Sequence, residues 1–156
     1  MVQVDEMVVT KRTILDHTWS AKHHNATIDM GWLGRGAIAV LGAVSREHGI
    51  HLIMTFKDSV NVSRFKVFLE ELRSRHPFDD MLLILDNLSV HKSRISRERM
   101  DELGFAYAWT PPYSPAYNGG IEETWAMGKK IIKQKRLNAL IAGKQVDLYK
   151  MVHESF

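Results

Sequence analysis

The chain has 156 residues, is 45% hydrophobic and 25% charged, carries a net charge of +3 and contains no cysteine. That length suits one domain with a sizeable core rather than two, and the missing cysteines exclude disulfides, thiolate catalysis and cysteine-ligated zinc while remaining compatible with a reducing compartment. The mild basicity permits a nucleic-acid partner without requiring one, no apolar run reaches the roughly 20 residues of a membrane helix, and the start lacks the basic-then-apolar order of a signal peptide.

Met1 to Met7 alternates loosely, Val2 and Val4 against Gln3 and Asp5, and reads as a strand with Asp5 at its end and Glu6 beside it. Val8 to Trp32 is polar, broken by turn residues and rich in histidine. His17, His23 and His24 read as part of a solvated loop or hairpin, because acidic or cysteine partners at zinc-ligand spacing are missing. Trp19 and Trp32 are expected to pin that segment to the body. Ala37 to Val44 and Ile50 to Phe56 form two strands of a hairpin turning around Arg46 to Gly49. Asn61 is a helix N-cap, and Phe65, Phe68, Leu69 and Leu72 fall at i, i+3, i+4 and i+7, the stripe of an amphipathic helix that Pro77 ends. Met81 to Leu85 is an unbroken apolar run, predicted to be a strand covered on both faces. A helix and then a strand after a hairpin indicate an α/β domain with a mixed sheet.

Asp86 stands where the Met81 to Leu85 strand emerges, the place where ligands and chemistry collect in open sheets flanked by helices. An Asp-Asn pair there also serves to start a loop through side-chain to backbone bonds. Lys92 to Leu103 is a short polar helix closing at Gly104, and Phe105 to Thr110 is an aromatic strand. Pro111 to Pro115, with three prolines in five residues, is a rigid loop. Ile121 to Leu137 is the last strong helix. Ile121, Trp125, Gly128 and Ile132 make its apolar stripe, and Glu122, Lys129, Lys133 and Arg136 share an adjacent face within roughly 60°. Glu122 lies in the first turn, where the helix dipole favours a carboxylate. The run Lys129 to Arg136 carries five cations and no acid, which fits a solvated face or phosphate binding equally. Gln145 to Phe156 forms a terminal helix or frays.

The chemistry candidates are therefore Asp5, Asp86 and Glu122. Three acids brought together repel unless a divalent cation neutralises them. Hard cations such as Mg²⁺ and Mn²⁺ take carboxylate oxygens and keep positions open for water and phosphate, and two such ions clamp the attacking and leaving oxygens of a phosphoryl transfer.

The combination of Leu85-Asp86-Asn87 with His91-Lys92-Ser93, Tyr113-Ser114-Pro115 with Asn118, and Ile121-Glu122 with Trp125 and Lys129 resembles the signature of DDE transposases of the mariner superfamily, in their bacterial insertion-sequence branch (the IS 630 type). Asp5-Glu6 after a strand is similar to the family's first acidic position, and the 35 residues between Asp86 and Glu122 agree with the family's habit. The resemblance runs from Val4 to about Lys130. It implies an RNase H-like α/β fold, a mixed sheet flanked by helices, in which Asp5, Asp86 and Glu122 bind two Mg²⁺ or Mn²⁺ ions for attack by water and then by a DNA 3′-hydroxyl on a phosphodiester. Asn87 and His91 would support the Asp86 loop or touch DNA, and Lys129, Lys133 and Arg136 would meet phosphates. Implied partners are double-stranded DNA (transposon ends and target) and a second copy in the full-length protein, with no membrane. The implied setting is the bacterial cytoplasm, at the nucleoid.

Two departures accompany the resemblance. Gly119-Gly120 stands where the family has proline soon after the asparagine, so Glu123 is the alternative third acid, although the i, i+3 relation to Trp125 favours Glu122. The family also carries helix-turn-helix domains before the catalytic core, whereas this chain starts at the first strand. The expectation is a catalytic domain over 1–137 with a helical extension over 138–156, from a truncated frame, half of a two-frame gene or an excised domain. The alternatives are an inactive remnant that binds DNA weakly and an RNase H-like nuclease acting on RNA–DNA hybrids or junctions.

Overall fold

The computed structural model describes residues 1–10, 22, 36–111, 119–144 and 146–156. The expectations for His17, His23, His24, Trp19 and Trp32, and for the Tyr113 to Asn118 part of the proline-rich loop, lie outside the described residues. Among the described residues five strands form one mixed sheet: β1 (Val2–Val9), β2 (Ile38–Ser45), β3 (Gly49–Lys57), β4 (Leu82–Leu85) and β5 (Ala106–Trp109), in the order β3-β2-β1-β4-β5. β1 pairs antiparallel with β2 and parallel with β4, and β4 pairs parallel with β5. The predicted hairpin is β2–β3, and its turn carries Gly49 at φ 71°, where glycine costs no Cβ clash.

The helices among the described residues are α1 (Val62–Arg75), α2 (Ser89–Lys92), α3 (Arg94–Glu102), α4 (Gly119–Ile141) and α5 (Leu148–His153). Asn61 caps α1 as expected, its side chain accepting from the Arg64 N–H at 2.9 Å. The sheet sits between two apolar layers, and the alternation of side chains along a strand decides which residue faces which. Val2 and Val4 of β1 join Leu83 and Leu85 of β4 under Phe65, Phe68, Leu69 and Leu72 of α1. Met7 and Val9 of the same strand turn to the other layer, with Ile121, Trp125 and Ile132 of α4 and Met151 and Val152 of α5. β2 is buried along its whole length because both layers cover it. α4 runs unbroken through positions 137 and 138.

Three expectations are adjusted. β1 continues two residues past Met7, to Val9. The polar helix after Asp86 is split: α2 ends and α3 begins at Ser93, whose hydroxyl caps α3 through the Ser96 N–H at 3.1 Å. β4 is fully buried on one side only. Leu83 and Leu85 are inaccessible while Leu82 remains 39% exposed, and among the described residues α4 and α5 pack mainly over β1, β2 and β3.

Candidate active site

The site begins with register. β1 pairs with β4 from Val2↔Leu83 to Val4↔Leu85, and there β4 ends. The next residue on each chain is Asp5 and Asp86, so the two carboxylates stand side by side where the sheet opens a step between its central strand and the end of its neighbour. The expectation that Asp5 ends its strand is thereby corrected. Asp5 lies mid-strand, still paired with Gly42 of β2, and is at an edge only with respect to β4.

Each carboxylate is held from a different layer. Asp86 is in a side-chain turn in which Oδ1 accepts from the Leu88 N–H at 3.0 Å and from His91 Nδ1 at 2.7 Å. Burial acts to raise its pKa, but these two hydrogen bonds outweigh it and hold the carboxyl below the ordinary 3.8. His91 is wholly buried, its ring 4.7 Å from that of Phe65. Its Nδ1–H donates to the carboxylate, and its Nε2 is buried with no partner among the described residues. His91 is therefore buried under α1 against Asp86 rather than on an exposed surface. Asn87 is exposed, and its Nδ2 donates to the Thr110 carbonyl at 2.8 Å, tying the end of β4 to the end of β5.

Asp5 faces the opposite layer. Its Oδ2 accepts from Trp125 Nε1 at 3.0 Å, and two residues earlier Gln3 Oε1 accepts from the Ile121 N–H at 3.0 Å. Two alternate side chains of β1 therefore grip the first turns of α4. Burial raises the Asp5 pKa above 3.8 and the nearby Asp86 charge adds to this, against the opposing bonds from Trp125 and the Glu6 backbone. The pair is thus pushed apart, Asp86 toward the charged form and Asp5 toward the neutral one. Burial also raises Glu6, with the Asp86 and Asp5 charges adding and that of His91 opposing. Glu6 is a fourth acid beside the pair.

Trp125 was predicted to be core, and it is 5% exposed. Sequence reasoning did not foresee that its indole nitrogen also serves Asp5. The slot that admits the indole is Gly42, the β2 partner of Asp5, where a Cβ would stand 2.6 Å from Trp125 Cη2 and 2.9 Å from Ile53 Cδ1. A glycine inside a strand that otherwise packs on both faces is the sequence signal for such a close approach.

Glu122 is exposed in the first turn of α4, one turn before Trp125. The structure does not converge it with the other two: among the described residues no three His, Asp or Glu side chains are placed to hold one ion. Lys129 is exposed and Lys133 half-buried on the same helix. Arg136 is corrected as a phosphate contact. It is 4% exposed, its Nη1 donates to the Thr10 carbonyl at 3.2 Å, and burial pulls its pKa down to about 10.

A family model of the DDE superfamily endonucleases matches residues 1–141. The chain belongs to that superfamily. Among solved structures, 99% of the chain superposes on the simian T-cell lymphotropic virus intasome bound to the PP2A regulatory subunit B56 gamma, with TM-score 0.70 and 12% identity, covering 45% of that chain. The Mos1 strand transfer complex gives TM-score 0.62 and 16% identity, again over 99% of this chain and 50% of that one. The catalytic core domain of BIV integrase gives 0.59 and 13% over 99% of this chain and 78% of that one. These likenesses establish the fold as RNase H-like, a mixed sheet flanked by helices. The DDE endonuclease chain spans about half the length of the first two structures. No curated protein matches it. Among the described residues no helix is long and apolar enough to cross a membrane.

Proposed function

We propose that this chain carries the catalytic centre of a transposase of the mariner superfamily, of the bacterial IS 630 type, which hydrolyses DNA phosphodiesters and joins the freed 3′-end to target DNA. The observation that carries the reading is the juxtaposition of Asp5 and Asp86 at the step where β4 ends, with α4 docked on Asp5 through Trp125 and bearing Glu122 one turn away. The family match and a fold shared with a Mos1 complex support it.

An all-carboxylate donor set fits hard divalent cations, Mg²⁺ or Mn²⁺. Asp5, Asp86 and Glu122 would hold two of them. When bound, such ions supply a water nucleophile at neutral pH and neutralise charge on the oxygens of the phosphodiester. The protein's own part is positional. His91 and the Leu88 amide keep Asp86 ionised and oriented, Trp125 orients Asp5, and Gln3 anchors the start of α4 so that Glu122 stays at the margin of the pair. Lys129 and Lys133 extend a cationic strip along α4 that suits the phosphates of double-stranded DNA, transposon end or target. The full-length protein would work as a homodimer at the bacterial nucleoid, with 1–137 as the catalytic unit and 138–156 as its extension.

The test is nicking of supercoiled plasmid with Mg²⁺ or Mn²⁺, by the parent chain and by Asp5→Asn, Asp86→Asn and Glu122→Gln. The proposal requires nicking by the parent and its loss in all three variants; undiminished nicking by Asp86→Asn would remove it. The exposure of Glu122 away from the acid pair favours a second reading, a fold that binds DNA without cutting it. Metal-dependent thermal stabilisation with no nicking by the parent chain supports that one.

A further inference from the structure

At the far end of the sheet from Asp86, where β1 and β4 begin, three histidines gather around an open cavity of about 610 Å³ lined by Met1, Ser45, His48, His51, His76 and Asp79. His51 lies on β3, and His76 is the C-cap of α1. Their rings meet nitrogen to nitrogen, His51 Nδ1 being 3.4 Å from His76 Nε2. At 3.4 Å the contact is long for a direct hydrogen bond, N–H to O bonds ordinarily being about 2.7–3.2 Å. Two imidazole nitrogens on one tetrahedral ion, each at about 2.0–2.1 Å, stand about 3.3–3.4 Å apart. The observed 3.4 Å matches that span.

The other nitrogen of each ring is already engaged. His76 Nδ1 is 2.8 Å from Asp79 Oδ2, and a carboxylate there can only accept, so Nδ1 carries a proton and, in the neutral ring, Nε2 presents its lone pair toward His51. His51 Nε2 is 2.8 Å from Ser45 Oγ, and donation from that nitrogen leaves Nδ1 as the second lone pair. Carboxylate or hydroxyl behind imidazole is the outer-shell arrangement that fixes tautomer and ring orientation in histidine metal sites. The backbone beneath is also fixed. Arg73 Nη1 donates to the His76 and Asp79 carbonyls, both at 3.0 Å, and its guanidinium lies 4.1 Å from the centroid of the Phe105 ring. Burial, reinforced by His76 and His48, lowers the His51 pKa and so favours the neutral, ligating ring.

We propose that His51 Nδ1 and His76 Nε2 form a binding site for a borderline divalent cation (Zn²⁺, Cu²⁺ or Ni²⁺), with Ser45 and Asp79 as its outer partners. Imidazole selects these ions over the hard cations that carboxylates prefer, so the site is chemically separate from Asp5 and Asp86. Among the described residues no third imidazole or carboxylate converges on the pair, so its remaining positions open onto the cavity and water completes the shell. A bound ion clips the β2–β3 hairpin to the end of α1.

The test is calorimetric titration of Zn²⁺ alone into the full chain carrying Asp86→Asn, which removes the carboxylate site. The expected result is one equivalent bound. Affinity should fall more than tenfold with His51→Gln or His76→Gln and about tenfold with Asp79→Asn. It should be unchanged when His17, His23 and His24 are all replaced by Gln. Electron paramagnetic resonance of one equivalent of Cu²⁺ on the Asp86→Asn chain should show coupling to two imidazole nitrogens, a readout that needs no histidine variant to fold. Absence of binding, equal binding by His51→Gln, or loss in the triple His→Gln variant overturns the proposal.

Discussion

Replacing Trp125 with Phe keeps an aromatic ring over Gly42 and deletes one atom group of consequence, the Nε1–H that Asp5 Oδ2 accepts at 3.0 Å. A hydrogen bond to a charged group contributes about 1.5–3 kcal/mol, and for the half-buried Asp5 the lower part, about 1.5–2 kcal/mol, is expected. The smaller ring leaves a void that adds about 1 kcal/mol at every pH. The two parts separate by titration. The folded-state pKa of Asp5 already lies above 3.8, so the fold favours the neutral acid, and the resulting stability is present below that value and lost as pH rises through the raised one. Removing a donor that lowers the pKa raises it further, so the carboxylate part of the penalty appears in full only above it. Urea unfolding should therefore show a loss of about 2.5–3 kcal/mol at pH 7 and only about 1 kcal/mol near pH 3.5. At neutral pH the carboxylate part alone corresponds to roughly 3–8 °C in melting temperature. An equal penalty at both pH values would mean that the indole nitrogen contributes nothing and that Trp125 is packing alone.

Asp86 has the opposite sign: its folded pKa is depressed, so its stability is present above 3.8 and lost as pH falls through the lower folded value. His91→Gln should cost about 2 kcal/mol at pH 7, and its urea midpoint should vary less than the parent's over that acid window; an unchanged acid dependence sinks the assignment. Gly42→Ala drives a Cβ to 2.6 Å from Trp125 Cη2 and should cost about 1–3 kcal/mol, with an altered tryptophan emission spectrum; a neutral substitution would mean that the slot has room. In a DNA-binding titration against salt, Lys129→Ala should flatten the slope by about one unit. Arg136→Ala should leave that slope unchanged and lower the unfolding midpoint instead; the reverse pattern would return Arg136 to the DNA face.

What was legible in the sequence was legible through periodicity. The α1 stripe of Phe65, Phe68, Leu69 and Leu72, the α4 stripe of Ile121, Trp125 and Ile132, and the succession of strands and helices along the chain were all readable because burial imposes a period of 3.6 or 2. Asp86 was readable as well, since the apolar run before it is short and ends on it. The place of Asp5 was not, because its nearness to Asp86 depends on where β4 stops against β1, and that register is set between segments about eighty residues apart. Arg136 misled for a related reason. Helical angles place it in the same sector as Lys129 and Lys133, but they carry no information about what lies beside the fifth turn of α4, and there the residue after β1 presents the Thr10 carbonyl.

Trp125 shows the same limit from the other side. An indole has an apolar body and one donor, so an apolar stripe predicts its burial but not where its nitrogen points. Gly42 removes the obstacle, and the Phe156 ring, set edge-on to Trp125 at 5.8 Å and lying where a side chain on Gly128 would be, closes the slot from behind. Asp5 is thus steadied by residues of β2, α4 and the chain's last position, whereas Asp86 is steadied by His91 and Phe65 in the layer across the sheet. The opposite pKa shifts of two adjacent carboxylates follow from that division. Asp86 receives two hydrogen bonds that outweigh burial, and Asp5 receives bonds that do not. The two acids are supported from opposite faces of one sheet, but the Asp86 and His91 charges both act on Asp5, so Trp125→Phe and His91→Gln should couple in stability rather than add.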